Sequence, residues 1–218
     1  EGFLWTGRLF PPLVRTIKSF FLETVLHYPE LGEIGTRYAT LLTMAALDPR
    51  GIFTPKELAT ATQSLPVDGL IEAARTVTEA LNAADAQRPV YWSKRVAPYF
   101  TKIWPRKKDS ITRDLSEGLA NVCIAASEKF PEAFSILRRR LRAPEYPDLL
   151  ILRIHDSGLC GKFPDQSLAF LSLLIPNQLP WLPGKLSECL QQIKNGNGAL
   201  AKNADYERLI NFVRVNTS

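Results

Sequence analysis

The chain has 218 residues, 45% of them apolar and 22% charged, with a formal net charge of +5. That composition is typical of an ordinary globular protein and excludes an extensively disordered chain. No run of 18 apolar residues occurs, so no membrane span is expected.

Three cysteines, Cys123, Cys160 and Cys189, are too few and too scattered for a disulfide framework and fit a reducing, cytoplasmic compartment. The first residue is Glu1, with neither Met nor a signal-peptide pattern, and a fragment of a longer multidomain protein is expected.

Taken in order, residues 1–11 are apolar enough to dock on the body of the protein. Val14, Ile17, Phe21 and Val25 then keep the spacing of one buried helical face. Tyr38, Leu41, Leu42 and Ala45 mark a second helix, closed by Asp48-Pro49-Arg50-Gly51. Thr54-Pro55-Lys56-Glu57 is a capping box, with Thr as N-cap and Glu three residues later. A short helix follows, then a longer one on which Leu70, Ala74, Val77 and Leu81 form a clean stripe.

Beyond Arg88-Pro89, the residues Trp92, Val96, Tyr99 and Ile103 hold helical spacing, while Pro98 removes a backbone bond and predicts a kinked or split helix. Trp104 leads into a basic loop of Arg106, Lys107 and Lys108. Leu115, Leu119, Val122, Cys123 and Ala126 predict the next helix.

A proline array follows. Pro131, Pro147, Pro164 and Pro183 stand 16, 17 and 19 residues apart, and three of them lie between an aromatic residue and an acid. Proline suits the first helical position, and acids there oppose the helix dipole, so each pattern predicts a helix start. Lys129-Phe130-Pro131-Glu132 recurs as Lys162-Phe163-Pro164-Asp165, 33 residues later, within the range of stacked-helix repeats. Phe134, Leu137 and Leu141 line the first of these helices. The run Leu149-Leu150-Ile151-Leu152 fits a buried strand or a buried helix equally well on periodicity; the preceding Pro147-Asp148 and the terminal Gly158 favour a helix buried on most sides. Leu168, Leu171, Leu174 and Ile175 mark another helix, and Leu186, Cys189, Leu190 and Ile193 one more. Tyr206, Leu209, Ile210 and Val213 close the chain.

No alternating strand is found. The predicted class is all-α: stacked helical hairpins in a HEAT-like α-solenoid or an irregular helical bundle. Two subdomains are expected, 1–88 and a repeat-like 89–218, or one continuous domain.

The chain offers little chemistry. His155-Asp156-Ser157 holds triad residue types, but adjacent helical positions do not face one another, and a helix-end role is preferred. The cysteines lack the close pairs of a zinc site, and no glycine-rich phosphate loop occurs. No enzyme, metal or cofactor is expected.

Basic residues are the stronger signal. Residues 88–142 hold thirteen Lys/Arg against five Asp/Glu. The candidate contact surface is Tyr91, Trp92, Arg95, Lys102, Trp104, Arg106, Lys107, Lys108, Arg138, Arg139, Arg140 and Arg142, with Trp181 as an aromatic anchor. A protein partner, or another domain of the same polypeptide, is the first expectation. Nucleic acid held by the same cations is the alternative, and a solvated helix face is the plain competing reading. Glu128, Glu132 and Glu145 are placed to neutralise part of the patch.

Tyr91-Trp92, Arg95-Val96, Pro98 and Trp104-Pro105, with Ser157-Gly158-Leu159-Cys160, Phe163-Pro164, Pro180-Trp181-Leu182-Pro183, Leu186 and Cys189-Leu190, carry a resemblance. Together they resemble the helical C-terminal region of large bacterial multidomain proteins, some of which bear a sirtuin-like or nucleotide-binding effector domain and are linked to phage defence. The resemblance covers a little under half of the chain. It implies a sensor, scaffold or oligomerisation role with catalysis elsewhere in the protein, and it carries over no active-site residue.

Overall fold

A computed structural model describes residues 32–50, 53–63, 65–104, 111–176 and 179–217. The helix expected around Val14 to Val25 and the basic loop Arg106, Lys107 and Lys108 lie outside the described residues. Within them the fold is all-α, with no strand.

The chain divides into two compact units, Glu1–Leu115 and Ser116–Ser218. The expected division at 88/89 falls inside the first unit, because the segment after Arg88 is bonded into the helices before it.

In the first unit, α1 (Gly32–Leu47) packs along α3 (Val67–Ala83), and α2 (Pro55–Gln63) lies against both. The capping box forms as expected: the Thr54 N–H donates to Glu57 Oε2 at 2.7 Å, and the Glu57 N–H reaches back to Thr54 Oγ1 at 3.3 Å. Leu70, Ala74, Val77 and Leu81 are all buried on α3.

On α1 the buried face is shifted from the expected one. Ala39, Leu42, Thr43 and Ala46 point inward, while Leu41 and Ala45 are half-buried. The cause is polar. Thr43 and Thr62 both bond the Tyr99 hydroxyl, at 2.9 and 2.8 Å, so a threonine takes a core position that apolar spacing alone gives to a leucine.

Tyr99 belongs to α4, a continuous helical run made of Arg88–Tyr91, a π-helical turn at Trp92–Val96, and Ala97–Phe100. The Pro98 ring has no N–H to donate and crowds the carbonyl four residues back. The helix widens just before it, and the Ala97 N–H bonds Trp92 O, five residues away.

In the second unit, α5 (Arg113–Ala125), which straddles the division, buries Leu115, Leu119, Val122 and Cys123. Each of the Leu and Val side chains contributes roughly 1.5–3 kcal/mol. The proline array holds. Pro131 sits in the first turn of α6 (Phe130–Leu137), Pro147 precedes α7 (Asp148–Asp156), and Pro164 opens α9 (Pro164–Leu174). Pro183 stands three residues before α10 (Leu186–Gly196).

Two details differ from expectation. The first helix of the array ends at Leu137 in a 3₁₀ turn, Arg138–Arg140, and Leu141 is buried in extended backbone. A short helix, α8 (Leu159–Lys162), also follows Gly158, whose φ of 68° makes the left-handed turn that ends α7.

Helix α10 is the centre of this unit. It touches α7, α8, α9 and α11 (Ala204–Thr217), and buries Leu186, Cys189, Leu190 and Ile193. Its crossing with α8 is close: a Cβ on Gly196 would lie 2.5 Å from the Gly161 carbonyl oxygen, so glycine is required there. Phe130, Phe134 and Phe170 form an aromatic core between α6 and α9.

Candidate functional site

The structure separates the expected contact residues into structural ones and surface ones. Tyr91, Trp92, Arg95 and Trp104 are structural. Trp92 is 0% exposed and Trp104 1%; both rings make edge contacts with Phe100, at centroid distances of 6.0 and 4.8 Å. Neither offers a face to a nucleobase or a partner side chain.

Arg95 is half-buried, and its Nη2 donates to the carbonyls of Ala46 and Phe53 at 2.7 and 2.9 Å. Tyr91 donates to Leu47 O at 3.0 Å. Ala46 and Leu47 are the last residues of α1, whose carbonyls have no partner within the helix. These two side chains are therefore the C-terminal cap of α1. Burial holds the Arg95 guanidinium pKa below its ordinary value and pushes the Tyr91 hydroxyl up to about 12. Lys102 is exposed on the turn after α4.

In the second unit Arg138 and Arg139 are exposed, and Arg140 is half-buried with Nη1 donating to Ile136 O at 3.1 Å. The backbone of Arg142 is tied to the buried Ser116 in both directions, N–H to Oγ at 2.7 Å and Oγ–H to its carbonyl at 3.1 Å. Two of the three acids expected to neutralise this stretch are engaged elsewhere, and Glu145 is exposed. Glu132 pairs with Lys129 at 3.6 Å, and Glu128 bonds Lys162.

Trp181 is half-buried and held in place. Its indole N–H donates to Asp148 Oδ2 at 3.0 Å, and the Gly184 N–H donates to the other oxygen of the same carboxylate at 3.3 Å. Tyr146, 66% exposed, lies over the Trp181 ring with centroids 5.7 Å apart and planes 25° from parallel. On α7, Leu149 and Leu152 are 58% and 39% exposed, while Leu150, Ile151 and Ile154 are buried. Leu149 and Leu152 are one turn apart and share a face.

The helix expected to be buried on most sides is thus buried on one. Tyr146, Leu149 and Leu152 were not among the sequence candidates, although a signal was present. Four consecutive apolar residues cover every side of a helix, so one-sided packing must leave some of them in water.

The remaining candidates for chemistry are accounted for locally. His155 Nδ1 lies 2.8 Å from Asp156 Oδ1, so these neighbours do meet at the helix end, contrary to the expectation that adjacent positions do not. Ser157 instead donates to Ile154 O at 2.9 Å, and no triad is assembled. All three thiols are buried, and burial raises the Cys123 pKa. Cys160 lies against Cys189, which raises its pKa further above the ordinary thiol value. Among the described residues no group of three or more His, Cys, Asp or Glu side chains is placed to hold a metal ion, and no helix is long and apolar enough to cross a membrane. Comparison with protein-family models, curated proteins and solved structures finds no match to this chain.

Proposed function

We propose that the chain is a non-enzymatic α-helical recognition module, HEAT-like in layout, which acts by contact with a protein partner or with another domain of its own polypeptide. The observation that carries this reading is the Tyr146–Trp181 stack together with the exposed Leu149 and Leu152 of α7. An exposed aromatic fixed by a stack and a hydrogen-bonded indole loses little freedom on binding, and large aromatic anchors dominate interface energies. The place of such a module in a larger bacterial protein, with a role in phage defence, rests on the motif resemblance between residues 91 and 190.

The nucleic-acid alternative keeps its exposed cations, Lys102, Arg138 and Arg139, but Trp92 and Trp104 are unavailable for base stacking.

The test is a photocrosslinking benzophenone amino acid placed at position 146 in cells making the protein. A discrete crosslinked species is expected there and not from the same probe at exposed Lys202. Equal labelling at both positions, or none at either, removes the reading.

A further inference from the structure

Between α6 and α9 runs an open groove of about 320 Å³, lined by Pro131, Phe134, Ser135 and Arg138 from one side and by Asp165, Gln166 and Ala169 of α9 from the other. We propose that this groove takes an extended protein segment carrying one acidic residue beside an apolar one. The carboxylate meets Arg138, the apolar side chain lies against the half-buried Pro131 and Ala169, and the segment's backbone meets Ser135 and Gln166. The proposal rests on the recognition reading above and names the chemistry of the partner.

Three observations favour that occupant. The Arg138 guanidinium lies over the Phe134 ring, 6.0 Å from its centroid, so the cation is held at the mouth of the groove. It forms no ion pair among the described residues, and the nearby acids Glu132 and Glu128 pair with Lys129 and Lys162. A planar guanidinium offers two parallel donors to one carboxylate. The third observation is the opposite wall. Asp165 accepts a hydrogen bond from the Asn197 amide at 3.3 Å, and its charge opposes a second anion in the same groove. A single acid followed by backbone N–H groups or a cation fits this pair of walls. A run of phosphates does not.

The experiment uses the whole chain and a fluorescein-labelled peptide of sequence Gly-Leu-Glu-Leu-Gly, with a Lys-for-Glu version and a short DNA duplex as comparison probes. Anisotropy titrations are expected to show binding of the Glu peptide and at least about tenfold weaker binding of the Lys peptide. Arg138→Ala and Arg138→Glu should each weaken the Glu peptide by about tenfold or more, while Arg153→Ala leaves it unchanged. Arg138 is exposed, and unaltered melting of both variants verifies the fold.

Equal affinity for the two peptides, indifference to Arg138→Glu, or no binding of the Glu peptide at millimolar concentration overturns the proposal. So does tighter binding of the DNA duplex that is lost in Arg138→Glu. Crosslinking from position 146 that persists in Arg138→Glu separates the outcomes: the recognition reading then stands and the groove assignment falls.

Discussion

Two stretches of the chain combine aromatic with cationic residues, and they use them in opposite ways. In the first unit, Trp92 and Trp104 are core side chains, and Arg95 is sunk into the carbonyl end of α1. In the second, Tyr146 stands in water over Trp181, and Arg138 lies exposed over Phe134. The difference follows from position relative to the helices. Trp92, Val96 and Tyr99 recur at the spacing of a helical face, so packing one of them inward carries the others with it. Tyr146 precedes a helix, and Trp181 sits between Pro180 and Pro183 in a loop, where no periodicity draws a ring inward.

The largest effect that could break this comparison comes from truncating one aromatic of each kind. Trp104→Ala should cost about 3–5 kcal/mol of unfolding free energy, through lost burial and the cavity left beside Phe100. Tyr146→Ala should fall within about 0.5 kcal/mol of the parent, as exposed substitutions do. Urea denaturation of both variants gives the answer, and similar losses would dissolve the distinction.

The cations supply a second comparison of intermediate size. Arg95→Met keeps the length of the stem but leaves the Ala46 and Phe53 carbonyls without their donor, a loss of about 1–3 kcal/mol. Arg208 has the corresponding role in the second unit, donating to Ser172 O and Ile175 O near the end of α9, and Arg208→Met should behave alike. Arg138→Met should change stability by no more than about 0.5 kcal/mol. An equal loss from Arg138→Met in thermal melts would show that Arg138 is structural as well.

How much of this was legible in the sequence depends on whether a signal was local. The capping box and the proline helix starts are complete within four residues, and each forms at its expected position. The stripes on α3, α5 and α10 are long enough for the 3.6-residue period to fix their buried faces.

What escaped involves residues far apart in the chain. Arg95 looks like a surface cation until its distance from the end of α1, some 49 positions earlier, is known. Thr43 looks exposed until Tyr99, 56 positions later, supplies its partner. The engagement of Glu128 by Lys162, 34 positions later, is likewise invisible to spacing.

The smallest effect concerns the Tyr99 hydroxyl, where a buried tyrosine can be set against the exposed Tyr146. Tyr99→Phe removes one member of the Thr43–Tyr99–Thr62 chain and leaves both threonines to rearrange. The expected cost is about 1 kcal/mol at neutral pH, against no measurable change for Tyr146→Phe.

The pH dependence gives a sharper reading. Burial pushes the Tyr99 pKa up to about 12 from an ordinary value of 10.0, so the folded state holds this proton more tightly than the unfolded chain does. Its contribution is therefore fully present below pH 10 and is lost as pH rises from 10 through 12. Tyr91, raised in the same way, adds to the same decline, so the parent protein should lose stability steeply over that interval. Tyr99→Phe should make the decline shallower. A decline of the same slope in parent and Tyr99→Phe would mean that the hydroxyl between the two threonines meets water in the folded state, and that the first unit is less tightly closed around α4 than its hydrogen bonds require.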